Sequence, residues 1–120
     1  MTQTKFGSKT SKLEGFREKY CFGDVVLAHV YFVDMKETKK RPALVLFDRF
    51  DNVVVMGITS NPEMEGVPLS IADGMRVPSI IKTNYIFTLS AEMIVKKFFT
   101  LNSEKKKIVC SELGLLTSCF

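Results

Sequence analysis

Lys39-Lys40-Arg41-Pro42-Ala43-Leu44-Val45-Leu46-Phe47 sets three cations and a proline directly before an unbroken apolar run. Proline fixes φ near −65° and has no N–H, so it belongs at the start or edge of a strand. The stretch therefore predicts a strand over 42–47, with Arg41 at its rim beside a rigid neighbour. A guanidinium held there is placed to meet an anion.

Working outward, a second apolar run, Val53 to Ile58, follows after a short, mostly polar connection, Asp48 to Asn52, which predicts a hairpin. The two runs have equal length, so a regular antiparallel register sets Arg41 next to Thr59. Thr59-Ser60-Asn61-Pro62 closes the second strand. A guanidinium fork beside two hydroxyls is a site for a phosphodiester oxygen.

Upstream, Phe22-Gly23-Asp24 reads as a turn opening a strand over Val25 to Val33, followed by a charged loop from Asp34 to Lys40. Downstream, Val67 to Ile71 reads as a short strand whose Pro68 suggests an edge position. Asp73-Gly74 marks a turn, and Ser79 to Phe87 a further strand. Ser90 is placed to cap a helical turn over Ala91 to Ile94, and the Phe98-Phe99-Thr100 content makes 96–101 a strand. Asn102 or Ser103 caps a helix through about Leu113, with Val109, Leu113 and Leu116 along its apolar stripe and Gly114 as its C′ residue. Many short strands and one terminal helix spell a mostly β fold, a small barrel or curled sheet.

Composition narrows the function classes. With 120 residues, 46% apolar and 25% charged, the chain is expected to form one domain with its own core. No run is long enough to be a membrane span, and the polar N-terminus has no apolar signal region, so a cytoplasmic location is the expectation. Three widely spaced cysteines and a single histidine offer no zinc motif. We therefore expect no metal site and no cofactor. The formal charge of +4 is concentrated at the front, where Lys5, Lys9, Lys12, Arg17 and Lys19 face Glu14 and Glu18. Residues 1–20 are expected to be a basic, partly mobile extension preceding a domain at 21–120. Any nucleic-acid binding by the folded body must then come from a local patch.

Known catalytic signatures are missing. There is no phosphate-binding glycine loop and no Gly-x-Ser-x-Gly elbow, and one histidine rules out a two-histidine ribonuclease site within one chain. His29 reads as a packed or edge histidine of the first strand, and Lys105, Lys106 and Lys107 as the solvated side of the last helix. Cation plus hydroxyl chemistry, Arg41 with Thr59 and Ser60, is what remains.

The ordered set of motifs resembles the PemK/MazF toxins, the ribonuclease halves of type II toxin–antitoxin pairs. The matching pieces are Gly23-Asp24-Val25-Val26-Leu27, Lys40-Arg41-Pro42-Ala43-Leu44-Val45-Leu46, Ile58-Thr59-Ser60, Gly74-Met75-Arg76-Val77-Pro78-Ser79 and the late strand Ile80 to Leu89. The resemblance implies an SH3-like barrel of five to seven strands with a C-terminal helix, assembled as a homodimer. It also implies metal-independent cleavage of single-stranded RNA by 2′-OH attack, leaving a cyclic phosphate and a 5′-hydroxyl. A cognate antitoxin protein, and DNA binding by the toxin–antitoxin complex, come with it. Carried over by position, Arg41 and Thr59 match the family's catalytic arginine and threonine, with Ser60 beside them. Lys39, Lys40, Arg76 and Lys82 are then candidate RNA-binding cations, and Tyr31, Phe32 and Phe47 candidate base-stacking rings. A gyrase-binding inhibitor of the same fold, or a relative that only binds RNA or antitoxin, is the alternative.

Overall fold

The computed structural model describes residues 19–32 and 37–118; of the expected extension at 1–20, residues 1–18 lie outside them, as do the side chains of Tyr31 and Phe32. Among the described residues six strands form one antiparallel sheet: β1 (Asp24–Phe32), β2 (Glu37–Arg49), β3 (Asn52–Thr59), β4 (Val67–Leu69), β5 (Ser79–Ser90) and β6 (Ile94–Thr100). One helix follows, α1 (Ser103–Thr117). The strand order across the sheet is β4-β5-β3-β2-β1-β6, so every strand pairs with a neighbour and the short β4 lies at one end. Pro68 there occupies the edge that its missing N–H requires.

The sheet curls around two cores because its strands alternate apolar residues on both faces. Leu44, Met56, Ile58, Leu69, Ile81 and Val109 cluster on one face, where α1 covers them. Ala28, Ala43, Val45, Val53, Val55 and Leu89 cluster on the other. Neighbours such as Ala43 and Leu44 are each fully buried, one in each core, which explains why 43–46 carries no polar residue.

Buried carboxylates hold the ends. Asp24 accepts from the Cys21 N–H at 2.9 Å and the Thr100 hydroxyl at 2.7 Å, joining the start of β1 to the end of β6. Gly23 makes that turn at φ +98°, where an added Cβ would meet Lys106 Cε at 2.6 Å. At the other end Asp48 accepts from the backbone N–H groups of Lys19 and Tyr20, at 2.8 and 3.0 Å.

Four sequence expectations change. β2 begins at Glu37, so Lys39, Lys40 and Arg41 are strand residues and not a loop. Pro42 lies inside the strand, facing Leu27 of β1, but one residue before the pairing with β3 starts at Ala43, so its missing N–H falls where β2 has one neighbour. The β2–β3 turn is only Phe50 and Asp51, both at positive φ (51° and 66°), as a two-residue hairpin turn requires. Finally, Gly114 is an internal helix residue. The helix runs on to Thr117, where the hydroxyls of Thr117 and Ser118 donate back to the carbonyls of Leu113 and Gly114. Asn102 supplies the N-cap, its side chain accepting from the Lys105 N–H at 2.8 Å.

Candidate active site

The hairpin register places the central pair. Near the turn, Arg49 faces Asn52 and Phe47 faces Val54; beyond Leu46 the register shifts, and Ala43 faces Gly57. The pairing ends at that pair; continued by two residues, the same register leads to Arg41 opposite Thr59. The β-bulge at Leu46 decides this. Without its extra residue the two-residue turn would bring Arg41 opposite Ser60 instead, and a slip of one residue moves a side chain to the other face.

Directly opposed residues of an antiparallel pair share a face. Arg41 and Thr59 therefore stand on the face of Ala43 and Gly57, continuing the second core toward solvent. Arg41 is exposed and Thr59 half-buried. Thr59 Oγ1 accepts the Asn61 N–H at 3.1 Å, and Asn61 Oδ1 in turn accepts the Glu63 N–H at 3.0 Å. These turns fix the threonine oxygen as an acceptor toward the loop, which leaves its O–H proton to donate outward. Ser60 is exposed and lines an open groove toward β4 and α1.

The same alternation sorts the candidate cations. Lys39 faces Val30, on the side of Arg41, whereas Lys40 faces His29 on the opposite side. Lys82 returns to the Arg41 side through a second irregularity. Between the pairs Met56–Ile86 and Ile58–Ile81, β3 contributes Gly57 alone while β5 contributes Lys82 to Tyr85. This wide bulge stacks Lys82 Nζ 4.7 Å from the centroid of Tyr85, whose ring lies 5.1 Å from that of Phe87. Arg76 is exposed in the segment leading to Val77 and Pro78, which line the groove beside Ser60.

Sequence reasoning missed Tyr85, Phe87 and Gly57. An added Cβ at Gly57 would meet the Tyr85 ring at 2.7 Å, so the glycine is the window across which the ring lies. A glycine inside an apolar strand was the available signal. Phe47, by contrast, is 49% exposed but faces Val54, at the turn end of the hairpin and away from Arg41. Among the described residues no group of three His, Cys, Asp or Glu side chains comes together as a metal site.

A curled six-stranded sheet with one covering helix, and an arginine and a threonine at the rim of its central hairpin, define a small β-barrel protein. The chain belongs to the PemK-like, MazF-like toxins of type II toxin–antitoxin systems, whose family model matches residues 22–117. Solved structures with the same fold include the Mycobacterium tuberculosis toxin MazF-mt6 (TM-score 0.61, 18% identity, covering 75% of this chain and 93% of that one). Another is an endoribonuclease in complex with its cognate antitoxin from a mycobacterial species (TM-score 0.65, 13% identity, 84% and 96% covered). A third is the MazE–MazF complex of Deinococcus radiodurans (TM-score 0.67, 17% identity, 81% and 94% covered). No curated protein sequence matches the chain. Among the described residues no helix is long and apolar enough to cross a membrane.

Proposed function

We propose that the chain is a metal-independent endoribonuclease toxin that cuts single-stranded RNA with Arg41 and Thr59. The observation that supports this reading is the bulge-set register at Ala43–Gly57, from which strand alternation carries Arg41 and Thr59 on the same face. In the reaction the 2′-hydroxyl gives up its proton to water as its oxygen attacks the adjacent phosphorus, and the 5′-oxygen leaves and takes up a proton from water. The products are a 2′,3′-cyclic phosphate and a 5′-hydroxyl. Arg41 stabilises the charge that builds on the phosphorane oxygens; its high pKa makes this a better role than proton donation. Thr59 donates its outward O–H to a non-bridging oxygen and fixes alignment, with the Ser60 hydroxyl as neighbour.

Lys39, Lys82 and Arg76 contact phosphates along the same face, and Lys40 contributes longer-range attraction from the other. An unstacked base lies on Tyr85, whose ring is braced by Phe87 and Lys82. The reading includes a homodimer, a cytoplasmic location, and a cognate antitoxin that covers the cationic face and gives the complex its DNA binding. End-group analysis of cleaved RNA tests the chemistry. Fragments with 5′-hydroxyl and cyclic phosphate ends are expected, and 5′-phosphate ends would contradict it.

A further inference from the structure

Beside Ser60 the sheet end, the turn at Ile71–Asp73 and α1 enclose an open groove of about 710 Å³. Its position is set by the strands: Thr59 faces Ile80 on β5, and Ile80 faces Pro68 on β4. Two strand spacings, about 10 Å, thus separate Thr59 from Pro68, and Ser60 lies at the groove's near wall. Pro68, Val77 and Pro78 give it flat apolar walls.

One carboxylate and one ammonium stand at the far wall, Asp73 and Lys105. Their side chains are only 15% and 19% exposed, so both are held in place. Asp73 Oδ2 accepts the Ser70 N–H at 2.7 Å and the Ser70 hydroxyl at 3.1 Å, and lies 3.5 Å from Lys105 Nζ. Lys105 Nζ also donates to the Pro68 carbonyl at 2.9 Å. Every one of these contacts of Asp73 falls on Oδ2; among the described residues Oδ1 has none. An ionised carboxylate oxygen with open lone pairs is an acceptor without a donor.

We infer that this groove is a nucleobase subsite, in which Asp73 Oδ1 accepts the exocyclic amino group of an unstacked base next to the cleaved phosphate. The inference rests on the nuclease reading for its substrate class. Flat proline and valine walls suit the faces of a base, while the carboxylate selects by its edge. Cytosine presents an amino donor at C4 where uracil presents a carbonyl, so a fixed carboxylate favours the first and repels the second. The subsite thus sets base preference at one position beside the cut, whereas Arg41 and Thr59 act on the phosphate shared by all sequences.

The test requires no turnover. Amide NMR spectra of the full chain carrying Arg41→Ala are recorded during titration with CMP and, separately, with UMP. CMP is expected to shift the amides of Ser70, Asp73, Val77 and Lys105 and to bind about tenfold more tightly than UMP. Asp73→Asn, which keeps an acceptor for the Ser70 N–H but adds an amino donor, is expected to abolish or reverse that order. Val77→Trp, at an exposed wall residue, is expected to block both nucleotides. Equal responses to CMP and UMP, no response, or an unchanged preference in Asp73→Asn would overturn the subsite. Cleavage chemistry is judged separately by the end-group analysis, so the two readings fail independently.

Discussion

At Thr59 a backbone neighbour has already oriented the side chain. Thr59 Oγ1 is held by the Asn61 N–H, so the hydroxyl's direction is set before substrate arrives. Thr59→Val keeps the β-branched shape that suits a strand but removes the donor. We expect a fall of about 10²-fold in kcat, comparable to deleting one oxyanion donor, with only a small fall in melting temperature from the lost Asn61 contact. Gly57→Ala tests the aromatic wall. Its Cβ would stand 2.7 Å from the Tyr85 ring. The expected outcome is weaker RNA binding, read as a raised KM with little change in kcat.

Asp73 titrates in a known direction. The Ser70 N–H, followed by the Ser70 hydroxyl and Lys105, holds its carboxyl below the ordinary value of 3.8 against the opposing effect of burial. A carboxyl whose pKa is lowered by folding stabilises the folded chain above its unfolded value and loses that contribution as pH falls through the folded one. Wild type is therefore expected to melt above Asp73→Asn at neutral pH, and the gap to close below about pH 3.8.

At the scale of elements, the hairpin shows what could be read and what could not. The apolar run 43–46 and the run 53–58 declare two strands, because both faces of each are buried in opposite cores. Pro68 marks an edge for the simple reason that it lacks a donor. Equal strand lengths imply a register that sets Ala43 opposite Gly57, and the molecule reaches that register by a shorter turn and a compensating bulge at Leu46. Nothing local announces that bulge; it is a property of two strands together. The bulge from Lys82 to Tyr85 was hidden for the same reason. Without it Asn84 and Thr83, in place of Ile81 and Ile80, would face Ile58 and Thr59.

The helix illustrates a different failure. Glycine after an apolar stripe signals a C-terminus, but Gly114 stays helical because Thr117 and Ser118 return hydroxyl donors to the last turn. Its position is open, with no atom within 4 Å of an added Cβ among the described residues. Gly114→Ala is expected to stabilise the protein by about 0.5–1 kcal/mol. Asn102→Ala, which removes the cap on the Lys105 N–H, is expected to cost about 1 kcal/mol. Chemical denaturation measures both.

Across the whole molecule, the two cores and the site are one arrangement. The core under α1 fixes the sheet's curl, and the second core carries Arg41, Thr59, Lys39 and Tyr85 at its open rim. Polar chemistry begins where that core runs out of apolar residues, between Ala43 and Arg41 on β2 and beyond Gly57 on β3. The cations gather there although residues 21–120 carry a formal charge of only +1 (12 Lys and Arg against 11 Asp and Glu). On the proposed function, charge placement and not total charge draws RNA to this face, so RNA binding is expected to weaken steeply with added salt.

The most direct test is cleavage of single-stranded RNA in excess chelator by wild type and Arg41→Ala. Cleavage without metal, reduced about 10²-fold or more by the substitution, is the expected result. Cleavage that requires a divalent cation, or that survives the loss of Arg41, would contradict the central role given to the Arg41–Thr59 pair.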